Sequence, residues 1–280
     1  MADFDRKVAF AIKLLRSIPK METPIEISYS GGKDSDVILE LAKMADIRFE
    51  AIYKNTTIDP PGTIKHCRDM GVTILNPKMT FFQLIEKKGF PTRRARFCCE
   101  VLKEYKVYDQ AVQGVRRAES TARANRYHEP EMCRVYSKTE KTRIYFPILE
   151  WTSEDVECFV KWRGLQLAPV YYDEDGAFHV ERRLGCVGCP LKSDCGKSDF
   201  KKYPKMLKAW LRAGKVYMDT HPHSRAVANF ATVYGMMVHD LFFDSFEGYE
   251  QVYGGGQLFP EETPDAKRFL EDYFGIDLTL

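Results

Sequence analysis

The chain has 280 residues, 44% of them hydrophobic and 29% charged, with a formal net charge of +2. That composition excludes collagenous and disordered classes and suits a folded chain with one large domain or two modest ones. No apolar run approaches the roughly 18 residues that suggest a membrane helix, and Met1–Lys7 carries charge where a secretory signal needs an apolar core. A cytoplasmic location with no membrane partner is expected. In that reducing compartment the eight cysteines are expected as ligands, nucleophiles or core residues, not as disulfides. Charge is uneven: nine Lys or Arg face three acids from Pro190 to Arg225, and ten acids face Lys267 and Arg268 from Val238 to Leu280. A basic stretch of this kind suits either a polyanion or a solvated helix face.

The opening segment repeats apolar residues at helical spacing through Phe4, Val8, Ile12 and Leu15, which predicts a helix to Ile18. Ile25–Tyr29 reads as a strand broken by Gly31-Gly32, and Ser35–Met44 as the next helix. Strand Phe49–Tyr53, helix Thr63–Met70 and strand Val72–Leu75 follow. Thr80–Lys88 and Cys99–Tyr108 read as helices. Ala111–Val115 and Ile144–Ile148 read as strands with a polar loop or hairpin between them, and Thr152 or Ser153 caps a helix to about Arg163. This alternation implies an α/β fold, a Rossmann-like, doubly wound and mostly parallel sheet with helices on both faces.

From Val170 the pattern changes to a turn at Tyr172–Gly176, a cysteine-rich knot from Cys186 to Cys195, and helical stretches. The last helix is expected from Pro264 to about Phe274, with Thr263 as its N-cap and Gly275 at its C-terminus. The expected division is an α/β domain over 1–165 and a cysteine-bearing, mostly helical region over 166–280.

Ser30-Gly31-Gly32-Lys33-Asp34-Ser35 lies between the first strand and its helix, and that placement makes an anion trap. The glycines let the backbone turn its N–H groups inward, and the helix N-terminus adds unpaired donors and a favourable dipole. Ser30 and Ser35 bring hydroxyls and Lys33 a point charge. An ordinary glycine turn needs neither.

Lys33 follows the glycines directly, so this is not the Walker pattern. The segment resembles the PP-loop of the adenine nucleotide α-hydrolase superfamily, which includes ATP pyrophosphatases, tRNA thiolases and sulfonucleotide reductases. Asn55-Thr56, Arg96-Phe97-Cys98-Cys99, Gly114–Ser120, Phe146-Pro147-Ile148 and Gly185–Pro190 are similar to motifs of one branch, the phosphoadenosine phosphosulfate reductase family. The resemblance covers residues 20 to 195 and implies ATP with Mg²⁺ as the ligand. It places Ser30, Gly31, Gly32, Lys33, Asp34 and Ser35 around the phosphates and Tyr53, Asn55 and Thr56 by the adenosine. Gly114 would let the chain pass close to the nucleotide, and Arg116, Arg117 and Arg123 are candidates for an anion. Lys33 and Asp34 are the catalytic candidates, with Asp59 a further acid for a metal or base role.

Cys186-x-x-Cys189, then Cys195, together with the pair Cys98-Cys99 give five candidates for four ligand places. Thiolates in fours suit a [4Fe–4S] cluster or tetrahedral zinc, and spacing alone does not separate them. The resemblance favours iron–sulfur. The pair followed by CxxC resembles the cluster signature of sulfonucleotide reductases, and the trio that of DNA phosphorothioation sulfurtransferases. Cys67, Cys133 and Cys158 lack partners at ligand spacing and read as core or incidental residues. His221 and His223 form only a weak pair.

A sulfonucleotide reductase attacks through a cysteine near its C-terminus, and no cysteine follows Cys195 in this sequence. The expectation is therefore ATP-dependent activation of an acceptor with pyrophosphate release, coupled to sulfur transfer. A nucleic acid is the candidate acceptor and a sulfur-donor protein a candidate partner, given the basic stretch and Arg93, Arg94, Arg96, Arg116, Arg117, Arg123 and Arg126. A reductase with a displaced nucleophile and a nucleotide-sensing subunit without turnover are the alternatives.

Overall fold

A computed structural model describes residues 2–224, 227–254 and 264–280. Arg225 of the basic stretch and Thr263, the expected cap, lie outside the described residues. In chain order the first elements are α1 (Ala2–Ser17), β1 (Ile25–Tyr29), α2 (Lys33–Ala45), β2 (Phe49–Lys54), α3 (Thr63–Asp69) and β3 (Thr73–Leu75). They are followed by α4 (Phe81–Lys88), α5 (Phe97–Leu102), β4 (Gln110–Val112), α6 (Thr121–Arg126), β5 (Glu131–Val135), β6 (Lys141–Tyr145) and α7 (Ser153–Arg163). The last are α8 (Lys197–Lys202), α9 (Pro204–Thr220), α10 (Val233–Phe242), α11 (Phe246–Tyr253) and α12 (Ala266–Phe274).

The chain forms two compact units that interleave along the sequence. The first takes residues 1–55, 59–77 and 102–185; the second takes 56–58, 78–101 and 186–280. Among the described residues no helix is long and apolar enough to cross a membrane.

The first unit is the expected α/β layer. Its sheet has the order β3-β2-β1-β4-β6-β5, parallel except for the antiparallel β5–β6 hairpin. Central β1 sets Ile27 opposite Ala51 on one side and Val112 on the other. A parallel strand flanked on both sides needs apolar side chains on its buried faces, and Ile25, Ile27 and Tyr29 supply them. Helix α1 buries Val8, Ala11 and Leu15, one stripe at helical spacing. It packs on α2, and α2 packs on α7. Trp151 bridges this layer edge-to-face with Phe4 at 5.9 Å and Phe159 at 5.4 Å.

Four elements differ from the sequence expectation, each for a local reason. Helix α5 stops at Leu102, and the Tyr105 carbonyl accepts from Lys54 Nζ at 2.7 Å, an acceptor that a longer helix would have turned to its own ladder. Strand β4 ends at Val112, because Gly114 lies against the α2 backbone. Strand β6 ends at Tyr145, short of Pro147, which has no N–H for a ladder. Helix α12 starts at Ala266 under Asp265, whose carboxylate accepts from the Lys267 N–H at 2.8 Å.

The second unit is helical. Helix α9 packs against α4, α8 and α10, and α10 against α11 and α12. Trp210 on α9 is ringed by Phe81, Phe90 and Phe200 with centroids at 4.8, 5.8 and 5.5 Å. Lys192 and Lys215 of the basic stretch pair with Asp199 and Asp219, and Lys197 and Lys201 lie over Phe242 and Tyr273.

Thr152 caps α7 reciprocally with Asp155, whose carboxylate also accepts from Lys7 Nζ at 2.6 Å. Burial opposes the Asp155 charge, but the Lys7 and Thr152 hydrogen bonds hold its carboxyl below the usual range. Its stabilising contribution is therefore present above the unfolded value of about 3.9 and lost as pH falls through the lower folded value. We expect Thr152→Ala to cost about 1 kcal/mol in urea unfolding. Lys7→Met should be less stable than wild type at neutral pH, and the difference should vanish as pH falls through that window.

Candidate functional site

The site begins at the end of β1, where the chain must leave the sheet and enter α2 within three residues. Gly31 makes the turn at φ +76°, a region that L side chains rarely enter. Gly32 then caps α2 in an extended conformation and, as glycine, brings no side-chain acceptor of its own. The Gly32 carbonyl accepts from the N–H groups of Ser35 at 2.8 Å and Asp36 at 3.1 Å and from Ser35 Oγ at 2.6 Å. Ser30 Oγ donates to Ser35 Oγ at 3.4 Å, so the two hydroxyls meet across the turn.

A buried cluster anchors this turn from below. Tyr29 on β1 donates a short hydrogen bond to Asp36 on α2, and His66 Nε2 on α3 lies 3.1 Å from both Asp36 oxygens. Burial pushes both the Tyr29 hydroxyl and the Asp36 carboxyl up. Cys67 is fully buried nearby, its thiol pushed up to about 12 by burial and by Asp36 and Asp59.

Two cavities open on this edge of the sheet and share Ser28, Ser30 and Arg123. The smaller, about 230 Å³, is lined by Ser30, Gly32, Lys33, Asp34, Ser35 and Gly114, as the sequence expects. It is also lined by Glu119, Tyr171, Arg183 and Leu184, for which the sequence carries no local signal beyond the adjacent pair Arg182-Arg183. The larger, about 530 Å³, takes Tyr53 from β2 together with Glu26, Lys54, Tyr127 and Tyr136. Buried Glu26 accepts from Ser28 at 2.8 Å and pairs with Lys54 at 3.5 Å. That ion pair on the sheet face was not foreseen either.

Charge in the smaller cavity is concentrated and dry. Lys33 is 4% exposed; its ammonium donates to the Arg182 carbonyl at 3.1 Å and stands 3.9 Å from Asp34. Burial first, and then Arg116 and Arg183, lower the Lys33 pKa against the pull of Asp34. Arg116 is 2% exposed and gives its Nε to Asp34 at 2.6 Å, while its buried Nη1 has no hydrogen-bond partner among the described residues. Arg123 pairs with Glu119, and Arg183 donates to the Glu119 carbonyl at 2.8 Å. A cavity walled by Lys33, Arg123 and Arg183, with helix N–H groups at its base, is built for an anion of more than one charge.

The other expected residues lie elsewhere. Asn55 Nδ2 donates to Asn76 at 2.9 Å, and Tyr53 donates a short hydrogen bond to Asp59. Exposed Arg117 pairs with Glu150 at 3.0 Å. Thr56 belongs to the second unit, where the Cys186 thiol lies 3.8 Å from its hydroxyl.

All five candidate metal ligands fall in that second unit. Cys98 and Cys99 open α5. Cys98 is a neutral thiol pushed well above its ordinary range, first by its hydrogen bond with Cys99, then by burial, with Cys186 also close enough to act on it. Gly188 turns the chain between Cys186 and Cys189 at φ +73°, where a Cβ would meet Phe200 at 2.3 Å. Arg93 binds the carbonyls of Pro190 and Lys192 at 3.0 Å each and reaches Cys195 Sγ at 3.7 Å. That latch uses one of the arginines proposed for nucleic acid. Among the described residues no three His, Cys, Asp or Glu side chains converge as a metal-holding group. The donor chemistry nonetheless suits a thiolate-bound cluster, since all five candidate thiols belong to one compact unit.

The sequence profile of the phosphoadenosine phosphosulfate reductase domain matches residues 24–192. An uncharacterised protein of Methanocaldococcus jannaschii is 32% identical over 204 residues, 67% of this chain and 46% of that protein. Sulfate adenylyltransferase subunit 2 of Shewanella pealeana is 26% identical over 200 residues, 59% of this chain and 65% of the subunit. The U34-tRNA thiolase NcsA of Methanococcus maripaludis, solved with its [4Fe–4S] cluster, superposes with a TM-score of 0.45 at 16% identity, covering 80% of this chain and 82% of that one. The chain spans less than half the length of the first curated relatives it matches.

Two outcomes test this geometry. A Cβ at position 114 would sit 2.8 Å from the Asp34 carbonyl oxygen, a clash with helix backbone that cannot rotate away. Gly114→Ala should therefore cost about 1–3 kcal/mol in urea unfolding. Iodoacetamide at pH 8, followed by peptide mass spectrometry, should alkylate exposed Cys133 and Cys158 well before Cys67 or Cys98, whose thiols stay protonated there.

Proposed function

The chain belongs to the phosphoadenosine phosphosulfate reductase domain family, and we propose that it is an ATP-binding enzyme that adenylates an acceptor, releases pyrophosphate and serves sulfur transfer. The observation that carries this reading is the small cavity, where the start of α2, Lys33, Arg123 and Arg183 surround a space continuous in its lining with a larger one. The small cavity suits the phosphates and the larger one the adenosine. The relative named as a sulfate adenylyltransferase subunit supports adenylyl transfer as the reaction class.

In this reading the acceptor's oxygen bonds to the α-phosphorus, the bond from that phosphorus to the α,β-bridging oxygen breaks, and pyrophosphate departs. Lys33 and Arg183 offset the charge that grows on the departing group. Arg116 holds Asp34 in place, with Asp34 the nearest carboxylate for Mg²⁺. Sulfur then displaces AMP from the activated acceptor. Up to four of Cys98, Cys99, Cys186, Cys189 and Cys195 would supply the thiolates for a [4Fe–4S] cluster, which would hold or orient that sulfur when bound. Arg126 and Tyr127, beside Arg123 on the wall of the larger cavity, suit a nucleic acid as acceptor, since cations and aromatic faces serve phosphates and bases.

Gly32→Val should abolish ATP binding in calorimetry, because a branched side chain would stand between the loop backbone and phosphate; Ser30 Oγ and Tyr171 Oη already lie 3.3 Å from a Cβ there. With unmodified RNA or DNA as acceptor and sulfide as the sulfur source, α-labelled ATP should yield labelled AMP, and a coupled assay should find pyrophosphate in equal amount. Binding without turnover on any nucleic acid would favour a sensing subunit, and thioredoxin-dependent sulfite release would restore the reductase. Protein purified without oxygen should be brown, with about four iron and four sulfide per chain. Cys186→Ala and Cys189→Ala should each lose the colour and Cys158→Ala should keep it. Colourless protein with stoichiometric zinc would end the cluster assignment.

A further inference from the structure

The smaller cavity contains a hydroxyl that its own helix holds. Tyr171 lies in a single turn of 3₁₀ helix (Pro169–Tyr171) and is 1% exposed, yet its hydroxyl reaches the first turn of α2. The N–H of Lys33, first residue of α2, donates to Tyr171 Oη at 3.0 Å. The Lys33 ammonium stands 5.3 Å from the Tyr171 ring centroid.

A phenol oxygen has two acceptor sites and one proton. The Lys33 N–H occupies one acceptor site, and the hydroxyl keeps its proton to give. Burial pushes the Tyr171 pKa up to about 12, which keeps the proton in place at any working pH. No protein acceptor for that proton is recorded among the described residues, and Tyr171 lines the cavity together with Ser30, Lys33, Arg123 and Arg183. A buried donor without an acceptor is costly, and an anion in the cavity relieves that cost.

We propose that Tyr171 is a direct hydrogen-bond donor to the phosphate chain in the small cavity, and that the Lys33 N–H fixes its direction. This inference rests on the reading of that cavity as the phosphate site. As the α-phosphorus forms its bond to the acceptor oxygen and loses its bond to the bridging oxygen, the electron pair leaves on pyrophosphate. Tyr171 then donates to a pyrophosphate oxygen while retaining its proton. The dipole of α2 thus reaches the anion partly through a side chain, and the Lys33 N–H is committed to the tyrosine instead of to phosphate.

The test is Tyr171→Phe, which keeps the ring in its packing and removes only the hydroxyl. With inorganic pyrophosphate as the probe in magnesium-containing buffer, its Kd should rise about tenfold or more, the loss of one hydrogen bond to a charged group. The affinity for adenosine should stay unchanged. Equal pyrophosphate affinity in the two proteins would overturn the proposal. Tighter binding by the variant would overturn it too, since the hydroxyl would then be a plug that phosphate must displace. Wild-type protein that binds neither pyrophosphate nor ATP would sink the phosphate-site reading and this inference together, which separates the two failures. Should Tyr171→Phe not fold, amide hydrogen exchange on wild-type protein decides: pyrophosphate should slow exchange at Lys33, and faster or unchanged exchange there counts against a retained Tyr171 bond.

Discussion

Helix α2 can offer its first turn to an anion because two neighbouring positions contain no side chain. Gly31 takes a left-handed turn with Thr63 only 3.0 Å from where a Cβ would stand, and Gly114 brings the chain after β4 against the Asp34 backbone. Both contacts bind the helix end to the sheet edge from opposite sides. The rest of the site hangs on that placement. Lys33, Asp34 and Ser35 face the cavity because they are the first residues of a helix that cannot slide, and Tyr171 reaches Lys33 because the helix start is held there.

Burying so much charge beside that helix end needs compensation. Lys33 and Arg116 are both nearly inaccessible, and one carboxylate, Asp34, lies between them at 3.9 and 2.6 Å. Desolvation of paired ions commonly cancels most of their attraction, so this arrangement contributes little to stability and costs two dehydrated cations. The lowered Lys33 pKa and the unpartnered Arg116 Nη1 express the same deficit of negative charge. In the proposed reading a polyphosphate supplies that charge, and the cavity is preorganised for it at the expense of the unliganded state.

The cysteine region follows a different logic. Segment 78–101 and the chain beyond Cys186 belong to one unit although the α/β strand pattern continues between them. That long-range packing places Cys98 and Cys99 in the same unit as Cys186, whereas Arg93 ties the Cys189–Cys195 loop through its carbonyls. The arginine is thereby occupied with structure.

Local signals were enough for most of the fold and for half of the cavity. Period-2 and period-3.6 apolar spacing located β1, α2, β2, α3 and α7 within a residue or two, because each buries one face and has its stop signal in the chain: Gly31-Gly32 after β1, Thr152 before α7. The phosphate loop was legible for the same reason, being continuous in sequence. Tyr171, Arg183, Glu26 and Lys54 were not, since their meaning depends on which residues stand across the cavity, and no spacing records that. The short α5 and β4 likewise follow from partners far along the chain, the Lys54 ammonium and the α2 backbone. The sequence by itself determined the elements and the anion loop, because those depend on neighbours three or four residues away; only tertiary packing decided which distant side chains complete the cavity.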